Sequence, residues 1–135
     1  MKSIEDSAFT HCHDLETVIC YAPLENTNKG LFEECKGLKT VIFVNGVGEM
    51  DNYLFNYCKN LKTVWWKGKV NRIGVQCFGA TGLEQFCVNA KNIDSYAFIG
   101  CEDLKEIHIR SGVENLNMTA FAMLTGIETI CLGRD

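Results

Sequence analysis

Cysteine and histidine are the residues of this chain that could most readily do chemistry. The chain has eight cysteines and three histidines in 135 residues. A thiol beside an imidazole can lose its proton and act as a nucleophile. Two thiols and a histidine can also bind zinc, if a fourth ligand joins them. Two sets have suitable side chains: the run "HCH" at 11–13, and the trio Cys87, His108 and Cys131. What either set can do depends on the elements that position it.

A repeat of 23 residues positions these side chains. Its six units are anchored on phenylalanines spaced by 23, 23, 23, 20 and 23 residues: Phe9, Phe32, Phe55, Phe78, Phe98 and Phe121. Apolar residues recur in register with these anchors, as in the column Val18, Val41, Val64, Ile107 and Ile130. Such a period is the signature of a solenoid, because one unit cannot bury its apolar residues alone whereas stacked units can.

Each unit contains a stretch that predicts a strand. In the rhythm L-x-x-V-x-I, alternate residues point inward, as in a strand of a parallel sheet. The segment around each phenylalanine then returns on the other side, as a short helical turn, a 3-10 turn or an irregular stretch. Three glycines follow strands, where we expect tight reversals with positive φ: Gly46, Gly68 and Gly112. The fourth unit lacks a residue between Phe78 and Leu83 and is short in its next turn, so we expect the stack to bend there.

Two units show the rhythm most clearly: "IEDSAFTHCHDLETVIC" at 4–20 and "IDSYAFIGCEDLKEIHI" at 93–109. They resemble the BspA-type leucine-rich repeat, also called the Treponema pallidum class. The resemblance covers residues 1–135 as a single domain of about six units, although only Pro23 lies where the family often has proline. It implies an α/β-type solenoid. This would be a right-handed leucine-rich-repeat stack with one parallel β-sheet face and short helical, 3-10 or irregular segments on the other.

The resemblance also implies a function. It suggests a non-enzymatic scaffold that presents a concave sheet face to a protein or glycan partner, as in surface repeat proteins of bacteria or protozoa. One alternative is a self-assembling unit, or a segment of a longer array, because polar caps are not evident at the ends of the repeat. A remote alternative is a metal or thiol site formed by the cysteines and histidine of the sheet face.

Most cysteines fall on inward positions of the repeat: Cys12, Cys35, Cys58 and Cys101 in one column, Cys20 and Cys77 in two others. A buried free cysteine packs as a small hydrophobic residue. Side chains of one ladder point in parallel, which suits a disulfide badly, so we expect reduced thiols. If Cys12 points inward, His11 and His13 are directed elsewhere, which argues against a shared metal ion.

The same alternation places other side chains on the outer face of the sheet. Trp66 belongs to an inward column, so Trp65 faces outwards in the column of Ile19, Ile42, Cys87, His108 and Cys131. An exposed apolar row is typical of a contact surface, and tryptophan is enriched at binding hot spots. Packing within the molecule or simple β-propensity is the alternative. We expect the binding face to comprise Tyr21, Ile19, Ile42, Val44, Trp65, Lys67, His108 and Arg110.

Composition and motifs argue against several functions. The net charge is −4 and the pI about 5.4, so we expect no nucleic-acid partner. No apolar run approaches the ~20 residues of a membrane span, so we expect no membrane insertion. There is no nucleotide-binding loop or catalytic motif, so we expect no cofactor, no resident metal and no enzyme activity. The family implies a cell-surface or secreted location, but "MKSIEDSAFTHC" contains no apolar secretory core and leaves the compartment open.

Overall fold

The chain folds as a parallel β-solenoid. A computed structural model describes residues 4–135. Their strands are β1 (Thr17–Cys20), β2 (Leu24–Asn26), β3 (Thr40–Phe43), β4 (Val47–Met50), β5 (Thr63–Trp66), β6 (Val70–Ile73), β7 (Gln85–Val88), β8 (Ala90–Ile93), β9 (Glu106–Ile109), β10 (Asn115–Leu116) and β11 (Thr129–Leu132). The odd-numbered strands form one face, called the first-sheet face below, and the even-numbered strands form a second sheet.

Equivalent residues of successive units lie opposite one another. Thr17 pairs with Thr40, and Thr40 pairs with Thr63, with all three strands parallel. Within β3, Val41 and Phe43 are buried, whereas Thr40 and Ile42 are partly exposed. The strand register predicted from the sequence is therefore confirmed on the first-sheet face.

The second sheet is a feature that the sequence pattern did not predict. It is continuous over five strands, in the order β10-β8-β6-β4-β2. Three of its strands bury their first and last residues, which are three positions apart, so they lack the period-two alternation of the first-sheet face. The residues at their ends, such as Met50 and Ile73, are buried.

The return segments consist of turns. In residues 4–135 there is no helix, and hence none that is long and apolar enough to cross a membrane. Gly30 and Glu34, two residues before and after Phe32, have φ values of +61° and +56°. Tyr53 and Tyr57 repeat this pattern one unit later, at +60° and +61°. Left-handed residues of this kind allow tight reversals, so the irregular alternative is found and the helical and 3-10 alternatives are not.

Two of the three glycines predicted to have positive φ do so. Gly46 and Gly68 have φ values of +85° and +82°. The prediction is wrong for Gly112, which is not among the residues with positive φ. Lys69 lies against it instead: its ammonium group donates a hydrogen bond to the Gly112 carbonyl, and a Cβ added at Gly112 would lie 2.9 Å from Lys69 Nζ. A close approach of another side chain is therefore the physical constraint on this glycine.

A ladder of phenylalanine rings fills the centre of the stack. The ring centroids of successive anchors are 5.1 to 6.0 Å apart. Phe55, Phe78 and Phe98 are fully buried, whereas Phe9 at the first turn is 44% exposed. Stacking of adjacent units therefore creates the core, as expected when each unit packs only on its neighbours.

The first-sheet face is interrupted at its middle. It forms two sheets of three strands each, β1-β3-β5 and β11-β9-β7, and β5 is not paired with β7. The second sheet passes this point unbroken, because Val70 pairs with Ala90 and Ile73 with Ile93. The interruption coincides with the shortened fourth unit, where the sequence predicts a bend of the stack; the structure shows unpaired strands on one face at this place. The missing residues have opened one face of the solenoid and left the other closed.

Candidate functional site

The first-sheet face carries a row of exposed apolar side chains. Ile19, Ile42 and Trp65 lie opposite one another on β1, β3 and β5. Ile19 and Trp65 are 50% and 52% exposed, and Ile42 is partly exposed between them. Tyr21, directly after β1, is 68% exposed, whereas Trp66 is only 9% exposed. The two adjacent tryptophans therefore face opposite sides of the sheet, as the sequence predicted.

The break separates the predicted face residues into two groups. Val44 and Lys67 lie beside the apolar row, at the ends of β3 and β5. His108 and Arg110 lie across the break, in β9 and directly after it. His108 Nε2 contacts Glu106 Oε1, and Arg110 Nε donates a hydrogen bond to Cys87 Sγ at 3.2 Å. The apolar row and the His108–Arg110 group thus belong to two different sheets, although both lie on the same face.

A cleft of about 300 Å³ occupies the break between the two groups. One wall includes the four residues 63–66 of β5, and the other includes the three residues 85–87 of β7. The rings of Trp66 and Phe86 are 5.8 Å apart, and those of Phe55 and Phe78 are 5.4 Å apart. Aromatic contacts therefore keep the interior closed while the strands above it are unpaired. This feature is called the β5–β7 cleft below.

The walls of the cleft present backbone groups without their usual partners. Where neighbouring strands of this face are paired, the first residue of a strand donates its N–H to the carbonyl just before the preceding strand. Thr63 N–H donates to Lys39 O (3.1 Å), and Glu106 N–H donates to Glu84 O (3.3 Å). Among the described residues, the equivalent bond from Gln85 N–H to Lys62 O is absent. Backbone groups alternate in direction along a parallel strand. The N–H of Gln85 therefore points towards the cleft, because Glu84 O already points towards β9.

In the part of the chain that the structure describes, a hydrogen bond is also missing at the C-terminal ends of β5 and β7. Val44 N–H donates to Cys20 O (2.9 Å), and Arg110 N–H donates to Val88 O (3.2 Å). The corresponding bond from Asn89 N–H to Trp66 O is not made within residues 4–135. On the β7 side the N–H groups of Gln85 and Asn89 are therefore left without these acceptors, and on the β5 side the carbonyls of Lys62 and Trp66 are left without these donors.

Trp66, one of the residues that line the cleft, carries a buried donor. Its indole Nε1 is inaccessible to solvent and has no hydrogen-bond partner among the described residues. Leaving a buried donor unsatisfied costs roughly 1–3 kcal/mol. Such a group in a native structure calls for an explanation, and one explanation is a role in binding an acceptor.

Polar contacts close both ends of the cleft. At one end Lys62 Nζ lies 3.0 Å from Glu84 Oε1, so the ion pair bridges the two walls. At the other end Asn89 Nδ2 donates to Gly68 O at 2.8 Å. Among residues 4–135, the ionisable side chains that line the cleft, apart from the Cys87 thiol, are those of Lys62 and Arg110, and none of these lining residues carries a carboxylate. The lining is thus positive in a chain whose net charge is −4.

Sequence reasoning missed Lys62, Gln85 and Asn89 as candidate site residues. Each occupies an ordinary position of the repeat, and none has unusual chemistry. The available signal was the shortened fourth unit between Phe78 and Leu83. The shortened unit indicates where along the stack the repeat is irregular, but it does not indicate which face has unpaired strands.

Four of the cysteines are buried in the core, and three of these hydrogen-bond to its backbone. All eight are free thiols. The thiols of Cys35, Cys58 and Cys101 each donate to a backbone carbonyl of the preceding unit at 3.0 Å. Burial raises the pKa of Cys58 to about 12 and raises that of Cys101 as well. The cysteine column therefore links adjacent units through hydrogen bonds, in addition to packing.

The two sets of residues with metal-binding chemistry do not form a cluster. His11 Nδ1 lies 3.4 Å from Glu34 Oε2, and the His11 and His13 rings are 5.9 Å apart. His108 lies opposite Cys87 and Cys131 in the sheet, and its imidazole contacts Glu106. No group of three or more potential metal ligands is assembled anywhere in residues 4–135.

The fold and the repeat define a class of protein, the leucine-rich-repeat solenoids. Within that class, the chain belongs to the family described as the BspA type leucine rich repeat region, which matches it in six copies over residues 1–92 and 85–135. No curated protein was found to match its sequence.

Two solved structures share the fold. A leucine-rich repeat protein from Bacteroides ovatus is 21% identical, with a TM-score of 0.74 over 95% of this chain and 34% of that one. A leucine rich cell surface protein from Faecalibacterium prausnitzii is 24% identical, with a TM-score of 0.61 over 98% of this chain and 30% of that one. The chain spans about a third of the length of each, and at these identities the likeness concerns the fold alone.

Proposed function

We propose that residues 1–135 form one leucine-rich-repeat domain that acts as a non-enzymatic scaffold and binds a partner protein through the first-sheet face. The observation that carries this proposal is the aligned row of Ile19, Ile42 and Trp65, with Tyr21 at its edge. Contiguous exposed apolar side chains on a rigid surface are typical of contact sites. Tryptophan and tyrosine supply large contact areas and dominate many hot spots.

A protein partner suits this row better than a glycan. Ile19 and Ile42 are aliphatic and carry no hydrogen-bonding group, so they match an apolar protein surface rather than sugar hydroxyls. The threonines of the neighbouring outward column, such as Thr40 and Thr63, add a few hydroxyls. Apolar contacts in the centre with polar groups at the rim are the usual arrangement of a protein–protein interface.

The Faecalibacterium structure supports a surface role as well. That protein is named as a leucine rich cell surface protein. We propose the same kind of location for the present chain, as a repeat scaffold that meets its partner outside the cell.

End-to-end association of copies is a second candidate. The first turn exposes Phe9 at 44%, and the last exposes Ile130 and Leu132 at 57% and 72%. These residues occupy the same repeat columns whose members are buried inside the stack, such as Phe55 and Val41. Both ends therefore expose positions that a further repeat unit would cover, and a second copy could continue the stack.

The test of the main proposal is selection of binders from a phage-displayed library of folded protein fragments, with affinities then measured for purified pairs. We expect Ile42→Glu and Trp65→Ala each to weaken binding by about tenfold or more, as at a hot spot. The matched control is Tyr57→Ala, because Tyr57 is similarly exposed (47%) but lies in a return segment. Binders that tolerate both face variants would overturn the proposal. A glycan array that yields the only ligands would overturn the choice of a protein partner.

Light scattering over a range of dilutions tests whether copies of the chain associate end to end. End-to-end association predicts a mass that rises with concentration and falls on Leu132→Glu, whereas a constant monomer mass removes it.

A further inference from the structure

We propose that the β5–β7 cleft binds an extended peptide segment of the partner that carries an acidic side chain. This inference deepens the proposed function and rests on it, since the cleft adjoins Trp65 at the end of the apolar row. The peptide backbone pairs with the open wall of β7, and an acceptor of the peptide takes up the unpartnered indole N–H of Trp66.

The first argument is the geometry of the open wall. Gln85 and Asn89 direct backbone N–H groups towards the cleft and lack the ladder bonds that equivalent residues make at other steps, among the residues that the structure describes. Residues on one side of a strand recur at every second position. Gln85 and Asn89 are four positions apart, so their N–H groups point to the same side. An extended peptide has carbonyls at the same spacing. Addition of a strand to such an edge is a common mode of peptide recognition.

The second argument is the buried donor. Trp66 lines the cleft, and its Nε1 is both buried and unpaired among residues 4–135. The other wall contributes Phe86, whose ring packs on Trp66. A peptide carbonyl or carboxylate bonded to Nε1 would remove the cost of the unsatisfied group. The site is therefore prepared for an acceptor, and an aliphatic ligand alone would leave it unsatisfied.

The third argument is charge. Lys62 and Arg110 line the cleft, and the carboxylates of Glu84 and Asp103 lie 3.0 and 3.8 Å from Lys62 Nζ without lining it. Bonds between cationic donors and carboxylates are roughly twice as strong as neutral hydrogen bonds. An aspartate or glutamate of the peptide therefore matches the lining better than an amide of the same size. The volume of about 300 Å³ is at the lower end of the range for ligand sites, which suits a short segment with its ends outside.

The indole N–H resonances provide a direct test, because the chain has only two tryptophans. In an ¹⁵N–¹H correlation spectrum, Trp65→Phe and Trp66→Phe assign the two indole signals. The probes are positional-scanning mixtures of acetylated, amidated hexapeptides, each with one residue fixed. We expect mixtures with fixed Asp or Glu to shift the Trp66 indole signal. Mixtures with fixed Asn or Gln should need about tenfold higher concentration, because they lack the charge.

Two lysines in equivalent positions supply the matched variants. Lys62 lines the cleft and pairs with Glu84 at 3.0 Å. Lys39 lies one unit earlier, does not line it, and pairs with Glu16 at 3.1 Å. Lys62→Met should weaken the binding of the acidic peptides by about tenfold, as expected for a charged contact, and Lys39→Met should leave it unchanged. Both side chains are exposed, so neither change threatens the fold.

The outcomes separate this inference from the proposed function. If no peptide mixture shifts the Trp66 indole, or if Lys62→Met and Lys39→Met behave alike, the peptide site is wrong. The scaffold proposal still stands in that case if the selected protein binders depend on Ile42, which does not line the cleft. If glycans shift the Trp66 indole signal and the peptide mixtures do not, the inference of a peptide site is also wrong. If binders are indifferent to Ile42→Glu as well, both proposals fail.

Discussion

Trp66 packs on Phe86 with their ring centroids 5.8 Å apart, although the strands that carry them, β5 and β7, are not paired. The core of the solenoid is therefore continuous where its first-sheet face is not. This relationship produces a cleft whose interior is aromatic and whose walls are open backbone. The parts of the solenoid on either side of the break therefore share one core.

Stacking of the phenylalanine ladder should dominate stability. Phe55 is fully buried between Phe32 and Phe78, with ring centroids 6.0 and 5.4 Å away. Phe55→Ala should lower the free energy of unfolding by ~3–5 kcal/mol, the usual range for a buried aromatic residue. Urea denaturation measures the change, and Tyr57→Ala, at an exposed site, should cost less than about 0.5 kcal/mol. A loss below about 1 kcal/mol for Phe55→Ala would show that the ladder contributes little.

The buried thiols should make the protein less stable at alkaline pH. Burial raises the pKa of Cys58 from 9.0 to about 12. Above pH 9 the unfolded chain loses the thiol proton while the folded chain keeps it. This contribution to stability is therefore complete below pH 9 and is lost as pH rises towards 12, by at most about 1.4 kcal/mol per pH unit.

Two cysteine variants measure how much Cys58 contributes to the pH dependence of stability. Cys58→Ala should unfold more easily at pH 7 but show a shallower decline above pH 9 than the wild type, in denaturation curves measured over that range. Cys87→Ala is the control, since Cys87 is exposed, and its decline should match the wild type. Cys87 should also react with iodoacetamide well before Cys35, Cys58, Cys77 and Cys101, which are buried. Equal alkylation rates for all of these would contradict their placement.

Arg72 should tie the second sheet together beside the break. Its guanidinium donates to Asp94 Oδ2 at 2.7 Å and to Asn52 Oδ1 at 2.6 Å, and lies 3.5 Å from Asp51. Arg72→Met leaves these partly buried groups without their donor, so we expect a loss of about 2–3 kcal/mol. Arg72→Lys should recover little, because an ammonium group cannot reproduce the planar fork. Urea denaturation of both variants, with Lys39→Met as a surface control, checks this, and full recovery by lysine would contradict it.

The part of the fold predicted from the sequence is the part that repeats. Columns such as Val18, Val41 and Val64 fix the strand register, because a shift of one residue would turn every side chain to the wrong face. The same logic correctly separated Trp65 from Trp66. The second sheet escaped prediction because strands as short as Asn115–Leu116 leave no periodicity to detect.

The candidate site was predicted only in part, for a related reason. The apolar row follows from the repeat, but the cleft arises where the repeat fails, between Phe78 and Leu83. Its open backbone groups and the unpaired indole of Trp66 depend on three-dimensional contacts that no column records. The importance of Lys62 is likewise invisible in the sequence, because Lys39 occupies the same column without lining a cleft.

The central claim is that the first-sheet face binds a protein partner while the opposite side of each strand builds the core. The most direct measurement pairs a urea denaturation curve with an affinity titration for Trp65→Ala and Trp66→Ala, using one selected protein binder. Trp65→Ala should keep the free energy of unfolding within about 0.5 kcal/mol and weaken binding by about tenfold or more. Trp66→Ala should lose ~3–5 kcal/mol of stability. If instead Trp65→Ala unfolds the protein, or binds as tightly as the wild type, the face assigned to the partner is wrong.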